Sequence, residues 1–90
     1  MREIQLDGRD MPSREVAHAY LRNRLGLPGY YGRNLDALYD CLTDIGEPTR
    51  ITLEHADALT ETMGRYGVLL TRVFEDAAAH NPNVRFEMRF

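Results

Sequence analysis

The sequence predicts an α/β fold: one compact domain spanning residues 1–90, with a three-stranded parallel sheet packed with helices in the order β-αα-β-αα-β. Two observations carry this. Three short stretches alternate apolar and polar residues, which is the period of a strand with one buried face. Between them lie two long segments whose apolar residues recur at helical spacing, too long for hairpins, so the strands they join are expected to run parallel with right-handed crossovers. Alternation in all three strands further implies helices mainly on one face of the sheet.

The first strand is residues 2–7, "REIQLD", with Ile4 and Leu6 on one side. A helix start follows at Ser13, a good N-cap preceded by Pro12, and a stop at Gly26. Val16, Ala17, Tyr20, Leu21 and Leu25 form its expected inward stripe. After the loop "LPGYYGR", Asn34 is a plausible N-cap for a second helix from about Leu35 to Ile45, ending near Gly46. Its core stripe is Leu35, Leu38, Leu42 and Ile45. "TRITLE" is the second strand, with Ile51 and Leu53 inward. Ala56, Leu59 and Met63 mark a short helix ending at Gly64, and Tyr66, Leu69, Leu70, Val73, Phe74 and Ala77 the longest amphipathic helix. Past "HNPN", the alternation of Val84, Phe86, Met88 and Phe90 makes the final strand.

Composition narrows the function. A 90-residue chain has room for one hydrophobic core and little for a deep enclosed pocket, which favours surface recognition. Its 43% apolar content argues against disorder. No apolar run approaches membrane-spanning length, and the charged N-terminus lacks a secretory pattern. Cys41 is the single cysteine, so no intramolecular disulfide forms and a reducing, cytoplasmic location is expected. It lies among apolar helix positions without positive neighbours and reads as a buried structural residue. Residues 1–34 hold six Arg against four acids, a net of +2; residues 35–90 hold five Arg against ten acids, a net of −5. The acidic half repels nucleic acid and attracts a basic partner. No membrane partner is expected.

The most informative stretch is residues 27–43, "LPGYYGRNLDALYDCLT". At 100° per residue, Asp36, Asp40 and Asp44 share one stripe, about opposite the apolar one. Like charges four residues apart cost a helix a few tenths of a kcal/mol per pair. Asp44 additionally opposes the helix dipole. Neither cost helps folding, so the arrangement points to a cationic partner. Tyr30 and Tyr31 sit beside it: one of the pair can turn inward while the other becomes an exposed interface anchor, or both can pack on the first helix.

This stretch resembles the signature of the barstar family, intracellular inhibitors of barnase-type secreted ribonucleases. The dense match covers residues 27–43, and a looser one in element order and in "VFED" extends over nearly the whole chain. The resemblance implies a 1:1 complex of a monomeric inhibitor with a basic, barnase-like ribonuclease. In it, Asp40 is the main phosphate mimic, Asp36 its partner against a second cation, and Tyr30 the cover over an active-site histidine. Gly32 and Asn34 contact the rim, and Asp76 occupies an acidic binding position in the last helix. With Tyr39 and Asp44 at further interface positions, the implied binding set is Tyr30, Gly32, Asn34, Asp36, Tyr39, Asp40, Asp44 and Asp76. Arg33 and Gly29 each replace an acid of the family pattern, Tyr39 stands in place of Trp, Asp44 and Ile45 in place of Gly and Trp, and His80 in place of an acid. These departures imply a different cognate enzyme or weaker binding to barnase.

Two rivals are weaker. The same scaffold could bind a basic protein that is not a ribonuclease, since an acidic face specifies charge rather than chemistry. An enzyme using Asp36, Asp40 and Asp44 to hold Mg²⁺ would need facing acids that no motif supplies, so no catalytic role, metal or other cofactor is expected. His18, His55 and His80 lack metal-ligand spacing and are expected at the surface.

Overall fold

In the computed structural model, which describes residues 1–90, strand β2 (Thr49–Glu54) is the centre of the sheet. Strands β1 (Arg2–Asp7) and β3 (Val84–Met88) flank it, both parallel to it. The register aligns Ile4 with Ile51 and Phe86, and Leu6 with Leu53 and Met88, so the apolar members of all three strands face one way. The other face aligns Glu3 with Arg50 and Arg85, and Gln5 with Thr52 and Glu87. Ion pairs Arg50–Glu3 at 3.6 Å and Arg89–Glu54 at 3.4 Å run across it. Parallel sheets are usually covered on both faces. This one keeps its second face wet with charged side chains, which is why its outer strands alternate instead of reading as continuous apolar runs.

Helices α1 (Arg14–Leu25), α2 (Leu35–Thr43), α3 (Asp57–Met63) and α4 (Arg65–His80) complete the order read from the sequence. A short 3-10 turn over Gly8–Asp10 was not foreseen; the Asp7 carboxylate caps it by accepting the Arg9 N–H. Asp7 also takes the Arg9 guanidinium at 2.8 Å, and that hydrogen-bonded cation holds its pKa at about 2. One core cluster joins the sheet's inner face to Leu21 and Leu25 of α1, Leu38 and Leu42 of α2, Leu59 of α3, and Leu70 and Phe74 of α4. Phe74 stacks on Phe86 with ring centroids 5.0 Å apart. The Cα radius of gyration is 11.8 Å, near the ~12 Å of a compact chain of this length. No helix is long and apolar enough to cross a membrane.

Three local expectations are corrected. Val16 is 46% exposed, and His18 takes its place in the interior at 2%. The reason is visible in the spacing: His18, Leu21 and Leu25 lie at i, i+3 and i+7, whereas Val16 falls off that stripe. Helix α2 ends at Thr43, with Asp44 as its C-cap, so Ile45 packs on the core from outside the helix. Finally, β3 ends at Met88, and Phe90 is 80% exposed: in this register Phe90 would face His55, where the chain leaves the extended conformation for the left-handed region (φ 54°).

Helices α3 and α4 touch so closely that Gly67 is required at their contact. A Cβ there would lie 2.6 Å from the carbonyl carbon of Leu59 and closer still to its oxygen. Gly67→Ala would add about 1 kcal/mol of helix propensity. It would also force two backbones apart, an overpacking that costs about 1–3 kcal/mol or more. The clash should win, leaving a net loss of about 1–2 kcal/mol by urea denaturation; a more stable variant would show that the α3–α4 contact yields freely.

Candidate functional site

The loop between α1 and α2 is held at both ends by its own chemistry. Gly26 closes α1 in the left-handed region (φ 66°), where glycine bears no Cβ penalty, and the Leu27 N–H returns to the Arg22 carbonyl at 2.9 Å. Asn34 closes the other end. Its Oδ1 accepts the Ala37 N–H at 2.8 Å as the N-cap of α2, while its Nδ2 donates to the Gly32 carbonyl at 3.2 Å. Between them the two tyrosines part. Tyr31 is buried and Tyr30 is 81% exposed.

The inward tyrosine has a specific partner. The buried His18 ring lies between two hydroxyls, with Nδ1 2.6 Å from Tyr31 Oη and Nε2 2.6 Å from Tyr66 Oη. In a neutral imidazole one nitrogen donates and the other accepts, so one tyrosine accepts from the ring N–H and the other donates to the bare nitrogen. Three elements distant in sequence (α1, the loop and α4) are thereby pinned at one point, and Tyr30 is held outward as a result. Burial pushes the Tyr31 hydroxyl pKa up and the His18 pKa down, the latter with help from the Arg33 charge.

Outside this anchor lies the acidic stripe. Asp36, Asp40 and Asp44 are all exposed, and none joins any of the chain's five ion pairs. The stripe forms a ridge shared by two open grooves, one lined by Asp40 and Asp44 and the other by Asp36. The first, about 430 Å³, gathers Tyr30, Gly32, Asp40 and Asp44, with Pro28, Tyr31, Ala37 and Thr43 completing its wall. Cys41 also lines it, half-buried where a buried residue was expected, because position 41 lies at the edge of the Leu38–Leu42 stripe. Burial and the carboxylates of Asp40 and Asp44 push its thiol pKa up, so it is no activated thiolate. The second groove, about 780 Å³, holds Asn34 and Asp36 together with Arg14, Glu15, Arg33 and Tyr66.

Two residues of the expected set stand apart. Tyr39 is half-buried on the α4 side of α2, its ring edge-on to His80 at 6.2 Å. Asp76 is exposed on α4 and lines neither groove; its carbonyl faces His80 Nδ1 at 3.1 Å. The sequence reading also missed Asn81, which is buried and donates to the α2 carbonyls of Leu42 at 3.0 Å and Thr43 at 3.3 Å and to Ile45 at 3.0 Å just beyond. No local pattern announces that contact, since its partners lie 36 to 39 residues away.

The family model described as "Barstar (barnase inhibitor)" matches residues 1–90, the whole chain. The chain belongs to the barstar family. A protein of Bacillus subtilis (strain 168) named "Putative ribonuclease inhibitor YrdF" is 41% identical over 78 residues, which cover 86% of each chain. The family match confirms the resemblance first carried by residues 27–43, and the compact α/β fold with three parallel strands and four helices agrees with it.

For this barstar-family chain, the buried His18 implies a pH dependence of stability. Its folded pKa lies below the ordinary 6.5, so the unfolded chain takes up the proton first as pH falls. The stabilisation is complete above pH 6.5 and is lost progressively below it, down to the lowered native value. Thermal melts across pH 7.5 to 5 should show this fall, and His18→Gln, though less stable throughout, should flatten it. An unchanged slope in the variant would assign the dependence to other groups.

Proposed function

We propose that this barstar-family protein inhibits a barnase-type ribonuclease by occupying its active site as a 1:1 complex, acting in the cytoplasm as a binding protein without catalytic chemistry or cofactor. The observation that carries this reading is the exposed Tyr30 beside unpaired aspartates on a helix that is rigidly capped at both ends. A ribonuclease holds RNA phosphates with Arg and Lys. Carboxylates set where phosphates would bind can meet those cations through charge-assisted, often bidentate hydrogen bonds.

On this reading Asp40, at the centre of the ridge, is the principal phosphate mimic, and Asp36 meets a second cation from the other groove. Tyr30 supplies a large, stiff aromatic surface over the enzyme's catalytic histidine. Gly32, Asn34 and Asp44 line the rim. Asn34 contributes through its position, since its side chain is already engaged in capping α2. Tyr39 and Asp76 extend the contact along the α4 side. The free protein is a monomer whose grooves wait for the enzyme.

The test is inhibition of a purified barnase-type ribonuclease by the wild-type chain and by Asp40→Ala, at low and at high salt. Inhibition by wild type that weakens with salt and is relieved by the substitution supports the reading. No inhibition at micromolar protein would move the target elsewhere, and recovery of a basic non-nuclease from the native source would then identify the acidic face as a module for that protein.

A further inference from the structure

The groove on the Asp36 side contains two arginines that join none of the chain's ion pairs. Arg33 has φ 55°, a left-handed conformation that costs a non-glycine residue free energy. It also precedes the N-cap of α2, where the helix dipole disfavours a cation. It lies near enough to His18 to oppose charge on that ring, and Arg14 adds a second cation to the same groove. The five ion pairs of the chain use Arg2, Arg9, Arg50 and Arg89, so neither groove arginine is neutralised, although Glu15 and Asp36 line the same space. Arg14 is nonetheless ordered: its guanidinium lies 4.3 Å from the Tyr66 ring centroid. Stacking of that kind holds the plane while leaving the N–H edge free to form a fork with a carboxylate.

We propose that the Arg33–Arg14 groove is a specificity site, which receives one or more carboxylates carried by the partner ribonuclease beside its cationic cleft. This rests on the inhibitor reading above and adds the chemistry of the partner's rim. The docking face is then bipolar: aspartates along the α2 ridge meet the enzyme's phosphate-binding cations, and a few residues away Arg33 selects enzymes with an acid at the matching place. An enzyme bearing a cation there would be repelled at the same distance.

The experiment uses the barnase-type ribonuclease that the wild-type chain inhibits most strongly from a purified panel. Arg33→Asn keeps a residue that tolerates the left-handed turn and removes the charge; Arg33→Glu reverses it; Asp40→Ala reports on the acidic ridge. Thermal melts of each variant confirm folding. The expected result is a several-fold rise in the inhibition constant for Arg33→Asn and at least a tenfold rise for Arg33→Glu. Reversal of one rim carboxylate of the enzyme to Arg should restore binding of Arg33→Glu. If both Arg33 variants stay within twofold of wild type, or bind more tightly, while Asp40→Ala loses inhibition, the groove assignment is wrong and the acidic reading stands. If Asp40→Ala also inhibits like wild type, or no enzyme in the panel is inhibited, the inhibitor reading fails and this site assignment with it.

Discussion

Asp40→Ala is expected to weaken the ribonuclease complex by at least about 2 kcal/mol, the usual threshold for an interface hot spot, while leaving the free protein folded. The two halves of this expectation have separate causes. In the free protein Asp40 is exposed, forms no ion pair, and has like charges four residues away on both sides, at Asp36 and Asp44. Its removal relieves two repulsions worth a few tenths of a kcal/mol each, so the melting temperature should hold or rise slightly. In the proposed complex the same carboxylate would be desolvated against guanidinium or ammonium groups, and truncation would leave those cations buried without a partner. Titration calorimetry at two salt concentrations separates the terms, because the wild-type affinity should fall with salt more steeply than that of the variant. A loss below about 0.5 kcal/mol in a verified complex would remove Asp40 from the role assigned to it.

Asn81→Ala is expected to cost about 3 kcal/mol of folding stability, although the residue is far from the acidic ridge in sequence. Helix α2 ends without a glycine C-cap and without a basic residue in its last turn. Its terminal carbonyls would be orphans apart from local turns. The Asn81 Nδ2 group shares its two hydrogens among the carbonyls of Leu42, Thr43 and Ile45, while Oδ1 accepts the Asn83 N–H at 3.0 Å. Alanine keeps none of these bonds, and each acceptor left buried and unpaired costs about 1–3 kcal/mol, less where water can enter. Asn81→Asp should be at least as damaging, because it presents an anion to carbonyls at the negative end of a helix. Urea denaturation measures both. A loss under about 1 kcal/mol would show that water replaces the side chain at little cost.

The architecture was legible because burial of one sheet face imposes a period of two on every strand, and burial of one helix stripe imposes a period near 3.6. Those periods placed β1 and β2 to the residue and established the β-αα-β-αα-β order. Charge on the α2 ridge was legible for a related reason: three aspartates at spacings of four cannot all face a core. The family signature lay in a contiguous stretch, so it too needed no structure. What periodicity does not record is where a polar group finds its partner. Position 18 could be read as surface because histidine is polar, yet it is buried because Tyr31 and Tyr66, 13 and 48 residues away, satisfy both ring nitrogens. That bridge decides which tyrosine of the adjacent pair turns outward. Asn81 is inside because α2 needs its donors, and Arg14 and Arg33 share a groove only because the fold brings the first turn of α1 near the loop that precedes α2. The sequence by itself determined the layers, the order of elements along the chain and the sign of the ridge, since these follow from local period and composition. Only the tertiary structure decided which tyrosine turns outward, which polar groups are buried and which charged residues share each groove, since each depends on pairings across tens of residues that no local spacing encodes.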